Sequence, residues 1–146
     1  MPDSSLHRPP LHDVGLLVLR VGVGLLMMGH GVPKLMKGPA MWEGLGGAAM
    51  GHLGITFTPT LWGFLAASGE GLGGLLLALG LATRPASVWL ASTMAMAFLH
   101  HYLSGDGWSA TNQPAKLVFV FVAIALTGPG RFALDAWVAR RWGRDE

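Results

Sequence analysis

A handful of ionisable side chains interrupt otherwise apolar stretches of this sequence: Arg20, His30, Lys34, Glu70 and the pair His100-His101. Glu70 is the most informative. An unpaired ionised carboxylate surrounded by apolar residues is costly, so it must be protonated, hydrogen-bonded or paired with a cation. Its helical stripe holds Ala66, Ala67, Gly73, Gly74 and Leu77. Small residues beside the acid predict that this face meets another helix closely. Arg20 continues through Gly24, Met27, Gly31 and Lys34 on one stripe. The simplest expectation packs that stripe on the Glu70 face, with a long guanidinium arm or one water closing a gap of roughly 9 Å along the axis. Such a pair either fixes helix register or serves a proton or ligand site.

His30 and Lys34 are one helical turn apart, and His100-His101 lie near the end of another apolar run. Imidazoles in one layer can shuttle protons or bind a metal. The adjacent pair points to different faces, so at most one of them joins His30, and no H-x-x-x-H pair occurs. No metal site is therefore expected. The alternatives are solvated interfacial histidines, or a polar site for a quinone or other small carbonyl compound. In that site His30, Lys34 and His100 would donate, and Met27, Met28, Met94 and Met96 would line soft walls.

The elements that position these groups follow from composition. The chain has 146 residues, 51% hydrophobic but only 12% charged, with 22 glycines and no cysteine. Soluble domains carry roughly 25% charged residues. That shortage excludes an ordinary water-soluble enzyme and a disordered chain. The missing cysteines exclude disulfides, thiolate nucleophiles and thiolate metal sites. A net charge of +2 gives no reason to expect a nucleic-acid partner.

Apolar stretches over about 14–36, 61–82, 85–103 and 113–128 read as transmembrane helices, each near the roughly 20 residues a bilayer needs. The last is the shortest, its apolar core running only from Ala115 to Thr127. The expected fold is all-α: one domain, an integral membrane four-helix bundle with a short C-terminal interfacial helix. That surface helix, over 131–142, follows from Leu134, Trp137, Val138 and Trp142 sharing one side flanked by arginines. Gly38 to Thr60 and Ser104 to Pro114 read as outer loops, and Thr83-Arg84-Pro85 as a minimal inner turn. Arg8, Arg84, Arg131, Arg140, Arg141 and Arg144 outnumber Lys34, Lys37 and Lys116, so both termini are expected on the cytoplasmic side. Trp42, Trp62 and Trp108 would form an outer belt, and Trp89, Trp137 and Trp142 an inner one. Gly69 to Gly74 matches G-x-G-x-x-G, but inside a hydrophobic span it reads as helix packing, since a dinucleotide fingerprint needs a strand before it.

In order along the chain, Leu19-Arg20-Val21-Gly22, His30-Gly31-Val32-Pro33-Lys34-Leu35, Glu70 to Leu77, Leu79 to Arg84 and Gly128 to Asp135 together resemble the DoxX family of small four-helix membrane proteins. The resemblance implies residence in the bacterial inner membrane. Its name comes from a subunit of a membrane thiosulfate:quinone oxidoreductase, and related proteins are linked to redox stress and to complexes with soluble oxidoreductases. Arg20, Lys34 and Glu70 match the family pattern and are carried over as the polar site; His100 and His101 match it less clearly. Related four-helix redox proteins use cysteine pairs, which this chain lacks.

The expectation is a small subunit of a quinone-linked oxidoreductase system, with Glu70 or His30 relaying a proton and Arg20, Lys34 and His100 binding ligand. Electrons would come from a partner, because no flavin, haem or metal motif is present. The alternative is a scaffold or anchor whose glycine-rich faces pack on a second copy or a partner subunit. A small transporter is less favoured, since no ring of like charges is visible.

Overall fold

The computed structural model describes residues 11–142 and is all-helical over them. We number the helices α1 (Leu11–Met36), α2 (Pro39–Gly51), α3 (Pro59–Leu79), α4 (Thr83–Ser104), α5 (Gly107–Thr127) and α6 (Leu134–Trp142). Arg8 and Arg144, which bear on the orientation of the chain, and the side chain of Trp142 lie outside the described residues.

Helices α1, α3 and α5 are long and apolar enough to cross a membrane. α4 has 22 residues, long enough, but Thr83, Arg84, Ser87, Ser92, Thr93, His100 and His101 dilute its apolar character. Large apolar side chains face outward around the bundle, among them Val18, Leu25, Leu72, Phe119 and Leu126. A surface this apolar is suited to acyl chains, not water. The membrane is therefore the setting in which this fold makes physical sense.

Two stretches read as loops are largely helical. Most of Gly38–Thr60 is α2, because Pro39 starts it where a missing N–H costs nothing and Gly38, at φ 79°, turns the chain out of α1. Ser104–Pro114 is mostly the first turns of α5; only Gly105 and Asp106 separate it from α4. The fourth span thus reaches 21 residues by starting at Gly107, with Pro114 tolerated inside it.

Glycine sets the packing order. α1 lies against α3, α3 against α4, and α4 against α5, while α2 covers the N-terminal half of α3. A Cβ on Gly31 would collide with the Gly71 nitrogen, and one on Gly24 would sit 2.7 Å from the Gly74 oxygen. Backbones can approach that closely only without side chains. Gly46 and Gly63 do the same between α2 and α3. The shared core is Met27, Leu77, Leu90, Met94, Phe121 and Ile124. α1 and α5 stand at the two ends of this row and do not pack closely on each other.

Candidate functional site

α3 is not a regular α-helix throughout. Gly69–Gly73 forms a π-helical turn carrying Glu70. One extra residue per turn, in a run of glycines, swings the carboxylate without breaking the helix. Glu70 is 4% exposed. Lys34 Nζ donates to both of its oxygens, at 2.8 Å to Oε1 and 2.6 Å to Oε2. The partner of Glu70 is therefore Lys34, not Arg20 as the shared stripe suggested. Gly31 seats directly on Gly71 and leaves the next turn of α1, with Lys34, above the acid. Trp42 on α2 donates its indole N–H to the Lys34 carbonyl at 3.0 Å, tying the first turns of α2 to the same place.

Glu70 also lines a cavity of about 540 Å³ between α1, α4 and α5. Val23, Leu26, Met27, Met94, Ala97 and Leu117 make its walls apolar, and Glu70, His30, His101, Gln113 and Lys116 add polar groups. Its size and mix of many apolar and few polar groups are those of small-molecule pockets. It occupies the gap left because α1 and α5 do not close on each other. His30 Nδ1 donates to the Leu26 carbonyl at 2.9 Å. A carbonyl only accepts, so in the neutral ring Nε2 carries no proton and is an acceptor. His100 does not line this cavity; it turns to His52, with Nδ1 3.1 Å from His52 Nε2. Its neighbour His101 takes the place expected of it, because adjacent helical positions differ by about 100°.

Arg20 belongs to a separate layer nearer the N-terminal end of α1. It is 1% exposed, and its Nη atoms donate to the carbonyls of Leu77 and Phe132, each at 3.3 Å. Gly80, at φ 70°, makes room: a Cβ there would collide with Arg20 Nη1. Asp13 accepts from the Arg131 N–H at 3.0 Å. Asp135 accepts from the N–H groups of Ala82 and Thr83, at 2.7 and 2.8 Å, at the start of α4. Residues 128–135 thus fold back as a clasp over the N-terminal ends of α1 and α4 and the C-terminal end of α3. Arg20 holds this clasp in place through the Leu77 and Phe132 carbonyls, and not the polar site of Glu70 to which the sequence assigned it.

The Asp135 carboxyl titrates below its ordinary value. Burial pushes it up, but the hydrogen bonds from Thr83 and Ala82, with the Arg20 charge, outweigh that. A lowered folded-state value adds stability above the unfolded value and loses it as pH falls through the folded one. The clasp is therefore expected to hold at neutral pH and loosen only in acid below the usual aspartate range. Asp135→Ala should cost ~1 kcal/mol, as for other lost helix caps, and remove that acid transition. Trp137 fluorescence followed against pH in detergent checks both.

α6 begins at Leu134, slightly later than the apolar stripe suggested, and exposes Leu134, Trp137 and Val138 together. The Arg141 guanidinium sits 5.3 Å from the Trp137 ring centre. This pattern suits a helix lying at a membrane surface.

No curated protein and no solved structure matches the chain. The family model described as DoxX matches residues 15–103, from α1 through nearly all of α4 and including Arg20, Lys34, Glu70 and both histidines of α4. The clasp at 128–135 lies beyond that match. A membrane-suited helical bundle, a buried Lys34–Glu70 pair and this match over more than half its length place the chain in the DoxX family.

Proposed function

We propose that this protein is a small membrane subunit of a quinone-linked oxidoreductase system and that a quinone, or a similar small redox-active molecule, occupies the cavity between α1, α4 and α5. The observation that carries this reading is the cavity itself: apolar walls and a buried acid, lying between helices α1 and α5 that do not pack closely on each other. A lipid-soluble ring would enter there from the bilayer without crossing water. The neutral His30 ring would accept a hydrogen bond from a quinol hydroxyl through Nε2. Oxidising a quinol to the quinone releases two protons and two electrons. Glu70, paired with Lys34, would take up one proton and His30 Nε2 the other, and both would be returned on reduction. Electrons would pass to or from a partner subunit. Arg20, Lys34 and His100, expected as ligand-binding groups, do not line the cavity; Lys34 takes part only by pairing with Glu70, and Arg20 and His100 have no direct part in this scheme.

In the proposed topology four helices span the membrane, α4 crossing with α1, α3 and α5. Both termini lie on the cytoplasmic side of a bacterial inner membrane, with α6 on its inner surface. Filling the cavity with Ala97→Trp should abolish quinone-linked turnover and quinone co-purification while leaving helix content unchanged. Glu70→Gln should lose turnover yet stay folded. Mass spectrometry of small molecules retained in native lipid, with a turnover assay on both variants, checks this. Normal turnover in either variant contradicts it.

A scaffold role is favoured by one separate observation. Gly15, Gly22 and Gly29 form an exposed stripe on α1, where an added Cβ would meet nothing within 4 Å. A stripe of this kind lets another helix approach closely. Leucines at those three positions should then dissociate a complex that Ala97→Trp leaves whole.

A further inference from the structure

The outer ends of the helices gather histidines that the sequence keeps far apart. His52 follows the C-terminus of α2, while His100 and His101 lie in the last turns of α4 and Asp106 in the turn before α5. His52 Nε2 and His100 Nδ1 face each other at 3.1 Å, with Ser104 Oγ 3.3 Å from the same His52 nitrogen. One ligand atom from each of His100, His101 and Asp106 lies within 4.8 Å of the others. His101 Nδ1 is 2.7 Å from Asp106 Oδ2.

We propose that His52, His100, His101 and Asp106 form a binding site for a divalent first-row transition metal ion, with Zn²⁺ as the best fit. Two imidazole nitrogens bound to one tetrahedral zinc, at 2.0–2.1 Å each, are separated by about 3.4 Å. The His52–His100 pair already stands near that separation. As ring nitrogens that face each other, they must share either a proton or a cation. The ligand set is imidazole-rich with one carboxylate, which suits zinc and its neighbours and not the oxygen-seeking Mg²⁺ or Ca²⁺. All four side chains are partly exposed, so an ion can reach them and the rings can turn the remaining distance. The ion would clip the end of α2 to the α4–α5 turn, beside the cavity that His101 also lines. Zinc binding here does not depend on the cavity taking a quinone.

The test uses the full chain in detergent, prepared without a polyhistidine tag, with Zn²⁺ titrated against a chromophoric chelator. One saturable zinc per chain is expected. His52→Ala, His100→Ala and Asp106→Ala should each weaken it by at least about tenfold, while His12→Ala leaves it unchanged. Circular dichroism confirms that the variants keep their helices. X-ray absorption of the zinc-loaded wild type should show imidazole nitrogens at about 2.0–2.1 Å. No saturable zinc, full binding in the His52→Ala/His100→Ala double variant, or an absorption spectrum without imidazole overturns the proposal.

Discussion

Lys34→Met is expected to destabilise the folded chain far more than Glu70→Gln, although each removes one charge from the same pair. The reason is unequal access to water. The Glu70 side chain is 6% exposed and the Lys34 side chain 26%. Without Glu70, the ammonium can extend along its flexible stem toward the membrane surface. Without Lys34, the carboxylate is left buried and unpaired, a situation that costs about 3–5 kcal/mol in buried pairs elsewhere. It can escape only by taking a proton, so the Lys34→Met defect should grow as pH rises. Denaturant titration in mixed micelles at two pH values measures this. Equal losses for the two variants, or a loss that does not change with pH, would show that the pair is not buried as described.

Gly31→Ala should be nearly as damaging, and for a different cause. The added Cβ would collide with the Gly71 nitrogen and meet the Glu70 carbonyl carbon at 2.6 Å. Both are backbone atoms, so no side chain can swing aside. α1 must move away from the π-helical turn, and Lys34 moves with it. Overpacking alone costs about 1–3 kcal/mol, and loosening the ion pair adds to that. Gly29→Ala is the internal control: it lies on the same helix with nothing within 4 Å, and should be neutral. Thermal melting of the two variants in detergent decides the point. Similar melting temperatures for both would mean that α1 does not approach α3 this closely.

These residues also show what a sequence reveals and what it withholds. The apolar runs and the small-residue stripes beside Glu70 and Arg20 announce buried helix faces, because composition and a 3.6-residue period suffice for that. The partner of Glu70 is not legible. Arg20 and Lys34 share one stripe of α1, and which of them meets the acid depends on the vertical offset of two helices. Gly31 on Gly71 sets that offset, with the π-helical turn at Gly69–Gly73 aiming the carboxylate. A run of glycines flanking a lone acid is the available signal for a distorted turn, but in a hydrophobic span it reads equally well as plain packing.

α2 escapes a reading by pattern because Gly, Ala and Met carry little periodic contrast, although Pro39 marks a good first turn. His52 is hidden for the same reason: inside an expected loop, nothing directs it to His100, 48 residues later. Arg20 stands out as an intramembrane charge, but its partners are carbonyls at 77 and 132, and carbonyls leave no trace in residue type.

A ring-sized redox molecule entering between α1 and α5 is the central claim. Its most direct test is labelling of the membrane-embedded protein with a photoreactive quinone, followed by peptide mapping. Labels should fall on Val23–His30, Met94–His101 and Ala110–Leu117, and excess unlabelled quinone should suppress them. Labels spread over outward-facing residues such as Phe119 and Leu126, or labels that competitor leaves unchanged, would contradict it.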